Sequence, residues 1–375
     1  MSRAEEKNMN RAKKGKKVKK NKIMMVLLLV VIIILGVLFA MKTWGKIDGK
    51  DANTNGDSLG IGNERKKEEK QVQIFKGDER PIAVALENST GNDWPHPGLE
   101  DAYLVYEVVV EGGLTKLIAI YKGKDVEEIG YVRSARPYFI DYALENDAVL
   151  VHYGHTIMTA DDEGKLDIDY IDGIVLSGSD KTFTVIPGYT TGNAKKIIVS
   201  IESIKAKMEE KKIRTTSTDK GLNYVAEDYD LEDVADETGN IINNLNSVKI
   251  NYPSHSVSYT YDKETKVYKR FQRGVPHVTT NDTQLTTKNI IVQFVEDTAL
   301  GDTREVPDKG YRKLHNIGEG EGYFITNGKY IEITWSKASR SAKTKYMDKE
   351  GNEIKINDGN TYIQICPKGA KVTIE

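Results

Sequence analysis

Short apolar runs alternate with polar segments in the first part of the chain beyond residue 80. These runs are rich in β-branched and aromatic residues and are bounded by turn residues, which is typical of strands. They occupy Ile82–Leu86, Tyr103–Val110, Leu117–Tyr121 and Ala148–Tyr153. Helical signals lie between and after them, at Pro137–Glu145 and in the spacing of Ile197, Ile201, Ile204 and Met208. The alternation predicts an α/β-type mixed domain.

Beyond residue 245 the helical spacing disappears and strand patterns dominate. Asn327-Gly328 lies between two alternating runs and is a strong signal for a type I′ hairpin. The predicted strands are Val257–Tyr261, Lys266–Phe271, Tyr323–Thr326, Tyr330–Trp335, Thr361–Ile365 and Lys371–Ile374. We therefore expect a smaller antiparallel β domain after the mixed domain, and an α+β fold class for the chain.

The segment Ile23–Met41 contains nineteen residues without a charge, an amide or a hydroxyl group. At 1.5 Å per residue it could cross about 28 Å of hydrocarbon, so it predicts an uncleaved transmembrane helix. Residues 1–22 carry ten Lys or Arg against two Glu, and this bias predicts a cytoplasmic N-terminus. We accordingly expect a single-pass protein of the cell membrane, with residues 42–375 extracytoplasmic.

Composition and motifs divide the chain and limit its chemistry. The predicted segments are a basic tail (1–22), a transmembrane anchor (23–41), a flexible stalk (42–79), an N-terminal α/β domain (80–244) and a C-terminal β domain (245–375). The formal net charge is −2 despite the basic tail, so the remainder is acidic and no nucleic-acid partner is expected. One cysteine, Cys366, excludes an intrachain disulfide. Familiar nucleotide and hydrolase motifs are missing from the sequence, and no cofactor is predicted.

Two carboxylates stand four residues apart near the end of the second predicted strand. Because side chains on a strand alternate between faces, Glu107 and Glu111 would share one face, with Gly112-Gly113 ending the strand. They either cap an exposed sheet face or form a working carboxylate pair.

Arg133, Ser134 and Arg136 precede Pro137, a residue suited to the first turn of a helix. Free N–H groups at a helix start favour anions, and guanidinium groups bind carboxylate or phosphate through two parallel hydrogen bonds. The segment is therefore a candidate anion-binding site. The alternative is that both arginines neutralise carboxylates of the chain itself.

His152 lies on the fourth predicted strand and His155 lies just beyond its end. Strand ends of open α/β sheets collect ligands, so both histidines are candidate binding residues. No metal site is predicted, because no carboxylate is placed beside them; Asp161-Asp162-Glu163 could supply one. His277 and Arg270 are interpreted as turn or surface residues.

Several of these segments resemble the YerB-like lipoprotein family of Gram-positive envelopes. The resembling segments are Arg80–Val84, Gly98–Ala102, Val110–Thr115, Ile129–Tyr138, Val151–Gly154, Val275–His277, Gly322–Phe324, Thr326–Lys329 and Ile333–Lys337. The resemblance implies an envelope location and two domains. It implies no reaction, because none is assigned to the family.

Three functions remain open from the sequence. The first is a membrane-anchored extracytoplasmic binding or interaction protein, attached to the lipid bilayer through Ile23–Met41, with a cell-wall polymer or an envelope protein as partner. The second is an envelope hydrolase or transferase using Glu107 or Glu111, His152 or His155, and the two arginines. The third is a structural adaptor without a small-molecule site.

Overall fold

The computed structural model describes residues 71–88, 95–156, 159, 165–176, 180–191, 194–219, 221–231, 243–300 and 310–375. The predicted tail, the predicted transmembrane segment and most of the predicted stalk lie outside these residues. Among the described residues, no helix combines the length and the apolar character needed to cross a bilayer. Glu68–Glu375 form one compact unit.

The described part of the chain contains two α-helices and twenty-three strands. The helices are α1 (Pro137–Glu145) and α2 (Ile201–Glu210). The strands up to α2 are β1 (Ile82–Glu87), β2 (Leu104–Val109), β3 (Thr115–Tyr121), β4 (Ile129–Gly130), β5 (Val149–His152), β6 (Tyr170–Asp172), β7 (Phe183–Thr191) and β8 (Ala194–Val199). The later strands are β9 (Tyr224–Val225), β10 (Asn243–Asn244), β11 (Ser247–Asn251), β12 (Ser256–Asp262), β13 (Val267–Gln272), β14 (Val275–Pro276), β15 (Thr286–Thr287), β16 (Asn289–Ala299), β17 (Arg312–His315), β18 (Gly318–Thr326), β19 (Lys329–Lys337), β20 (Lys345–Met347), β21 (Ile356–Asn357), β22 (Thr361–Pro367) and β23 (Val372–Ile374).

Local sequence signals explain where the two helices begin. Pro137 occupies the first turn of α1, where its missing N–H costs nothing. The helix α2 begins with a capping box, in which Ser200 and Ser203 each accept a hydrogen bond from the backbone N–H of the other. Ile197 belongs to β8 and not to this helix, so the predicted helical spacing began too early, with a residue that lies in a strand.

Twelve strands form one mixed sheet that runs through both halves of the sequence. Its order is β10-β19-β18-β16-β22-β2-β3-β1-β5-β6, with β17 beside β16 and β20 beside β19. The strand β22 lies parallel to both β2 and β16, so the end of the chain is inserted beside its beginning. The strands β2 and β3 are buried along their whole length. A second, antiparallel sheet has the order β14-β13-β12-β11-β23, with β15 beside β13.

The predicted fold class is wrong. The structure is mostly β, with 45% strand and 10% helix, and it is not an α/β domain followed by a separate β domain. The first three strands pair antiparallel, β1 with β3 and β2 with β3, without intervening helices. The spacing of the hydrophobic residues identifies which segments are strands, but it does not identify which strands pair with each other. The C-terminal strands therefore pair with N-terminal ones across separations that no local pattern encodes.

One edge of the large sheet positions the candidate site. The strands β1, β5 and β6 are parallel neighbours, so their carboxyl ends meet at the same side. His152 is the last residue of β5, Asp172 is the last residue of β6, and the two are directly paired in the sheet register.

Candidate functional site

Three side chains converge at the carboxyl ends of β5 and β6. His152 and Asp172 are buried, with side chains 0% and 1% exposed, whereas the side chain of His155 is 21% exposed. The His155 Nδ1 atom lies 3.3 Å from Asp172 Oδ2. Each of the three residues offers one ligand atom, and these atoms all lie within 4.8 Å of one another. Parallel pairing therefore assembles two imidazoles and one carboxylate, the donor types that hold a transition metal.

Gly154 orients two of these groups through its backbone. Its φ of +75° is a left-handed conformation that favours glycine, and it turns the chain directly after β5. The Gly154 N–H donates to Asp172 Oδ1 at 2.7 Å, and the Ile174 N–H donates to the same oxygen at 3.0 Å. The Gly154 carbonyl lies 2.8 Å from His152 Nδ1 and can only accept, so Nδ1 carries the proton. His152 Nε2 therefore keeps its lone pair.

One buried atom of each of these three residues has no hydrogen-bond partner among the described residues. These atoms are His152 Nε2, His155 Nδ1 and Asp172 Oδ2. A buried polar atom without a partner costs about 1–3 kcal/mol, so three at one place require an explanation. Burial lowers the pKa of His152, against the opposing effect of Asp172, so its imidazole stays neutral at pH 7.

The predicted arginine site is built on the chain's own carboxylates. Arg136 directly precedes α1 and forms two hydrogen bonds with Glu111, from Nε at 2.6 Å and from Nη2 at 2.8 Å. Arg133 Nε lies 3.5 Å from Glu87 Oε2, and its Nη1 donates to the Val132 carbonyl. Ser134 Oγ donates to the Tyr153 carbonyl at 3.2 Å. This arrangement corresponds to the alternative in which the arginines neutralise internal acids.

Glu107 and Glu111 are not brought together as a pair. The strand β2 ends at Val109, and Glu111 begins the 3-10 turn Glu111–Gly113, so the expected alternation of faces stops before it. Glu107 is fully buried and accepts a hydrogen bond from Arg270 Nη2 at 2.7 Å. Burial alone would raise the pKa of Glu107, but Arg270 and hydrogen bonds from His255 and Thr115 hold it at about 2.

A chain of buried hydrogen bonds continues from Arg270. Its Nε donates to His277 Nδ1 at 2.9 Å, which leaves the proton of this ring on Nε2. His277 Nε2 then donates to His96 Nδ1 at 2.8 Å, and His96 Nε2 donates to the Glu87 carbonyl at 2.6 Å. Both imidazoles must be neutral for this order. Burial favours that state because it lowers the pKa of His96 to about 4 and lowers that of His277 as well.

Sequence reasoning missed Asp172, Arg270, His277 and His96. The interpretation of Arg270 and His277 as turn or surface residues is wrong, because both are fully buried. The carboxylates Asp161-Asp162-Glu163 lie outside the described residues, and Asp172 stands beside the histidines instead. Its position at the end of a short Tyr-Ile-Asp run was the one available signal.

A cleft of about 790 Å³ opens beside the start of α1. Its apolar lining includes Tyr138, Ile140, Leu166 and Leu314. Its charged lining residues are Lys165, Arg312, Lys313 and Arg340 against Asp141 and Asp167. Apolar surface with an excess of cationic groups suits a ligand that is partly apolar and carries negative charge.

Two parts of the chain match domains of one family. Residues 67–214 match "Protein of unknown function (DUF3048) N-terminal domain", and residues 248–363 match "Protein of unknown function (DUF3048) C-terminal domain". A Bacillus subtilis (strain 168) protein named "Putative lipoprotein YerB" is 27% identical over 297 residues, which are 77% of this chain and 82% of that protein. The crystal structure of Bacillus subtilis YerB has the same fold, with a TM-score of 0.64 and 24% identity over 79% of this chain and 94% of that one.

These matches correct one expectation and confirm another. The prediction of a single-pass membrane protein is wrong, because the YerB relative is named a lipoprotein, a protein attached through lipid. The resemblance to the YerB-like family is confirmed by both domain matches. The chain belongs to the DUF3048 family, to which no function is assigned.

Proposed function

We propose that this protein binds an anionic, partly apolar ligand of the bacterial cell envelope, of the kind that a cell-wall polymer presents, in the cleft beside α1. The observation that carries the proposal is the cleft itself. Its volume of about 790 Å³ lies within the range of small-ligand sites, about 300–1,000 Å³. The lipoprotein name of the YerB relative favours an envelope location.

The charge distribution in the cleft supports an anionic ligand. Arg340 donates to Asp141 Oδ1 at 2.6 Å and to Asp167 Oδ2 at 3.3 Å, so its one positive charge is shared between the two acids of the lining. Arg312 pairs with Asp297. Lys313 is exposed and adds positive charge to the lining.

Binding is favoured over catalysis by the placement of the expected catalytic groups. Glu107 is fully buried and paired with Arg270, and Glu111 accepts two hydrogen bonds from Arg136. A general base must reach the proton that it removes, and neither carboxylate is available to a ligand in this arrangement. The hydrolase or transferase hypothesis therefore loses its proposed base.

The test measures binding of a purified anionic cell-wall polymer to the protein by titration calorimetry. The double variant Lys313→Gln/Arg340→Gln, which removes positive charge from the cleft, should weaken binding about tenfold or more, because charge-assisted contacts are the strong ones. Arg214→Gln is the matched control, since Arg214 pairs with Asp147 and does not line the cleft.

Three outcomes separate the hypotheses. Saturable binding that the cleft variant weakens and the control preserves would support the proposal. Release of altered polymer fragments during incubation would favour the enzyme. The proposal fails if the polymer does not bind, or binds both variants as tightly as the parent protein, and a structural adaptor would then be favoured.

A further inference from the structure

We propose that His152, His155 and Asp172 bind a divalent transition-metal ion of the zinc class. The proposal is independent of the cleft beside α1, because none of the three ligands lines it. It rests on the convergence of three residues that each offer a ligand atom, on one buried atom of each without a hydrogen-bond partner among the described residues, and on the backbone contacts that orient the three residues.

The spacing of the ligand atoms suits one ion. Two atoms that bind the same zinc ion at about 2.0–2.2 Å in a tetrahedron stand about 3.3–3.6 Å apart. The 3.3 Å between His155 Nδ1 and Asp172 Oδ2 agrees with that spacing. Neither atom has a hydrogen-bond partner among the described residues. A shared ion accounts for two atoms that approach each other but do not bond.

The surroundings resemble the supporting contacts of known metal sites. A histidine ligand commonly donates its second ring N–H to a carbonyl, which fixes the tautomer and aims the free nitrogen. His152 does so through Nδ1 and the Gly154 carbonyl. Asp172 Oδ1 accepts hydrogen bonds from two backbone N–H groups, which leaves Oδ2 available to bind the ion. Tyr170 stacks on the His152 ring, with centroids 5.7 Å apart, and holds its plane.

The donor set selects the class of ion. Two imidazole nitrogens and one carboxylate oxygen suit zinc and its neighbours, whereas calcium and magnesium prefer oxygen ligands alone. Three protein ligands leave one position of a tetrahedral ion for water or an anionic oxygen. The partly exposed ring of His155 marks the side from which the ion and this fourth ligand reach the site.

The test uses the full chain without a polyhistidine tag, stripped of metal by a chelator and titrated with zinc in competition with a chromophoric chelator. We expect one zinc ion per chain. Cobalt(II) should bind at the same stoichiometry and give the intense visible absorption of a tetrahedral site. His155→Ala and Asp172→Asn should each weaken zinc binding by about 100-fold or more, because loss of an outer partner alone costs about 10–100-fold.

The variants are chosen to preserve the fold. Asp172→Asn keeps the Oδ1 acceptor for Gly154 and Ile174 and replaces only the ligand oxygen. His315→Ala is the matched control, because His315 is a partly exposed histidine that contacts Thr298 far along the sequence from the site. It should bind zinc like the parent protein.

The proposal is overturned if the parent protein shows no saturable zinc binding, which would leave an ion pair between His155 and Asp172. It is equally overturned if both site variants bind zinc as tightly as the parent. Circular dichroism verifies the fold of each variant, and if Asp172→Asn does not fold, the result for His155→Ala decides.

Discussion

Replacing Arg270 by methionine should be among the most damaging single substitutions in this protein. The change leaves Glu107, whose side chain is fully buried, without its cationic partner. Methionine has a similar unbranched stem, so the loss of charge and hydrogen bonds dominates over the loss of volume. The perturbation therefore removes the buried ion pair together with the hydrogen bonds that Arg270 donates around it.

The magnitude follows from the surroundings of the pair. The difference between the ordinary Glu pKa of 4.5 and the value of about 2 in the fold corresponds to roughly 3 kcal/mol for the charge on Glu107. Arg270 also donates to His277 Nδ1, Tyr259 Oη and Gln272 Oε1, which would all lose that bond. We expect a loss of about 3–5 kcal/mol in the free energy of unfolding at pH 7, as for other broken buried pairs.

The assay is urea unfolding followed by far-UV circular dichroism, at pH 7 and at pH 5. Burial without Arg270 raises the pKa of Glu107, so the variant should take up a proton on folding and its deficit should shrink as the pH falls. The double variant Arg270→Met/Glu107→Gln should recover about 2 kcal/mol, because the amide carries no charge. A deficit below about 1 kcal/mol, or no recovery in the double variant, would refute the reasoning.

Two further predictions concern the histidine chain and a glycine turn. Burial lowers the pKa of His96 to about 4 and also lowers that of His277. In the unfolded chain these histidines take up protons below about pH 6.5. The free energy of unfolding should therefore fall by roughly 3 kcal/mol for His96 between pH 6.5 and 4. Urea midpoints across this range measure the slope, and an equally steep slope in His96→Asn would contradict this origin. Gly113→Ala should destabilise by about 2–4 kcal/mol, because its new Cβ would lie 2.5 Å from Pro253 Cβ at a φ of +73°. Gly112→Ala should cost only about 1 kcal/mol, because Gly112 has a φ of +68° and its new Cβ would have no atom within 4 Å. Thermal unfolding of both variants measures the two losses, and equal losses would contradict the steric explanation.

Local structure was predictable where a local signal sufficed. The helix Pro137–Glu145 has the predicted bounds, because a proline suited to the first turn precedes a run of buried residues. The hairpin at Asn327-Gly328 is confirmed, since both residues have positive φ, as a type I′ turn requires. The sequence also placed His152 on a strand and His155 just beyond its end, as the structure has them.

Partners distant in sequence were not predictable from the same signals. Glu107 pairs with Arg270, which is 163 residues away. Arg136 pairs with Glu111, which lies on the turn where the expected alternation of strand faces stops. Asp172 joins His152 only because β5 and β6 are parallel neighbours in a fixed register.

The sequence by itself determined several of the strands, where α1 begins and to which family the chain belongs, because each depends on residue type and spacing within a few positions. Only the tertiary structure decided that β22 is inserted between β2 and β16, and that two histidines and one aspartate share a site. Strand pairing is selected by the burial of whole sheet faces, a property of the assembled chain. The same strand pattern is therefore compatible with many partners until the core is packed.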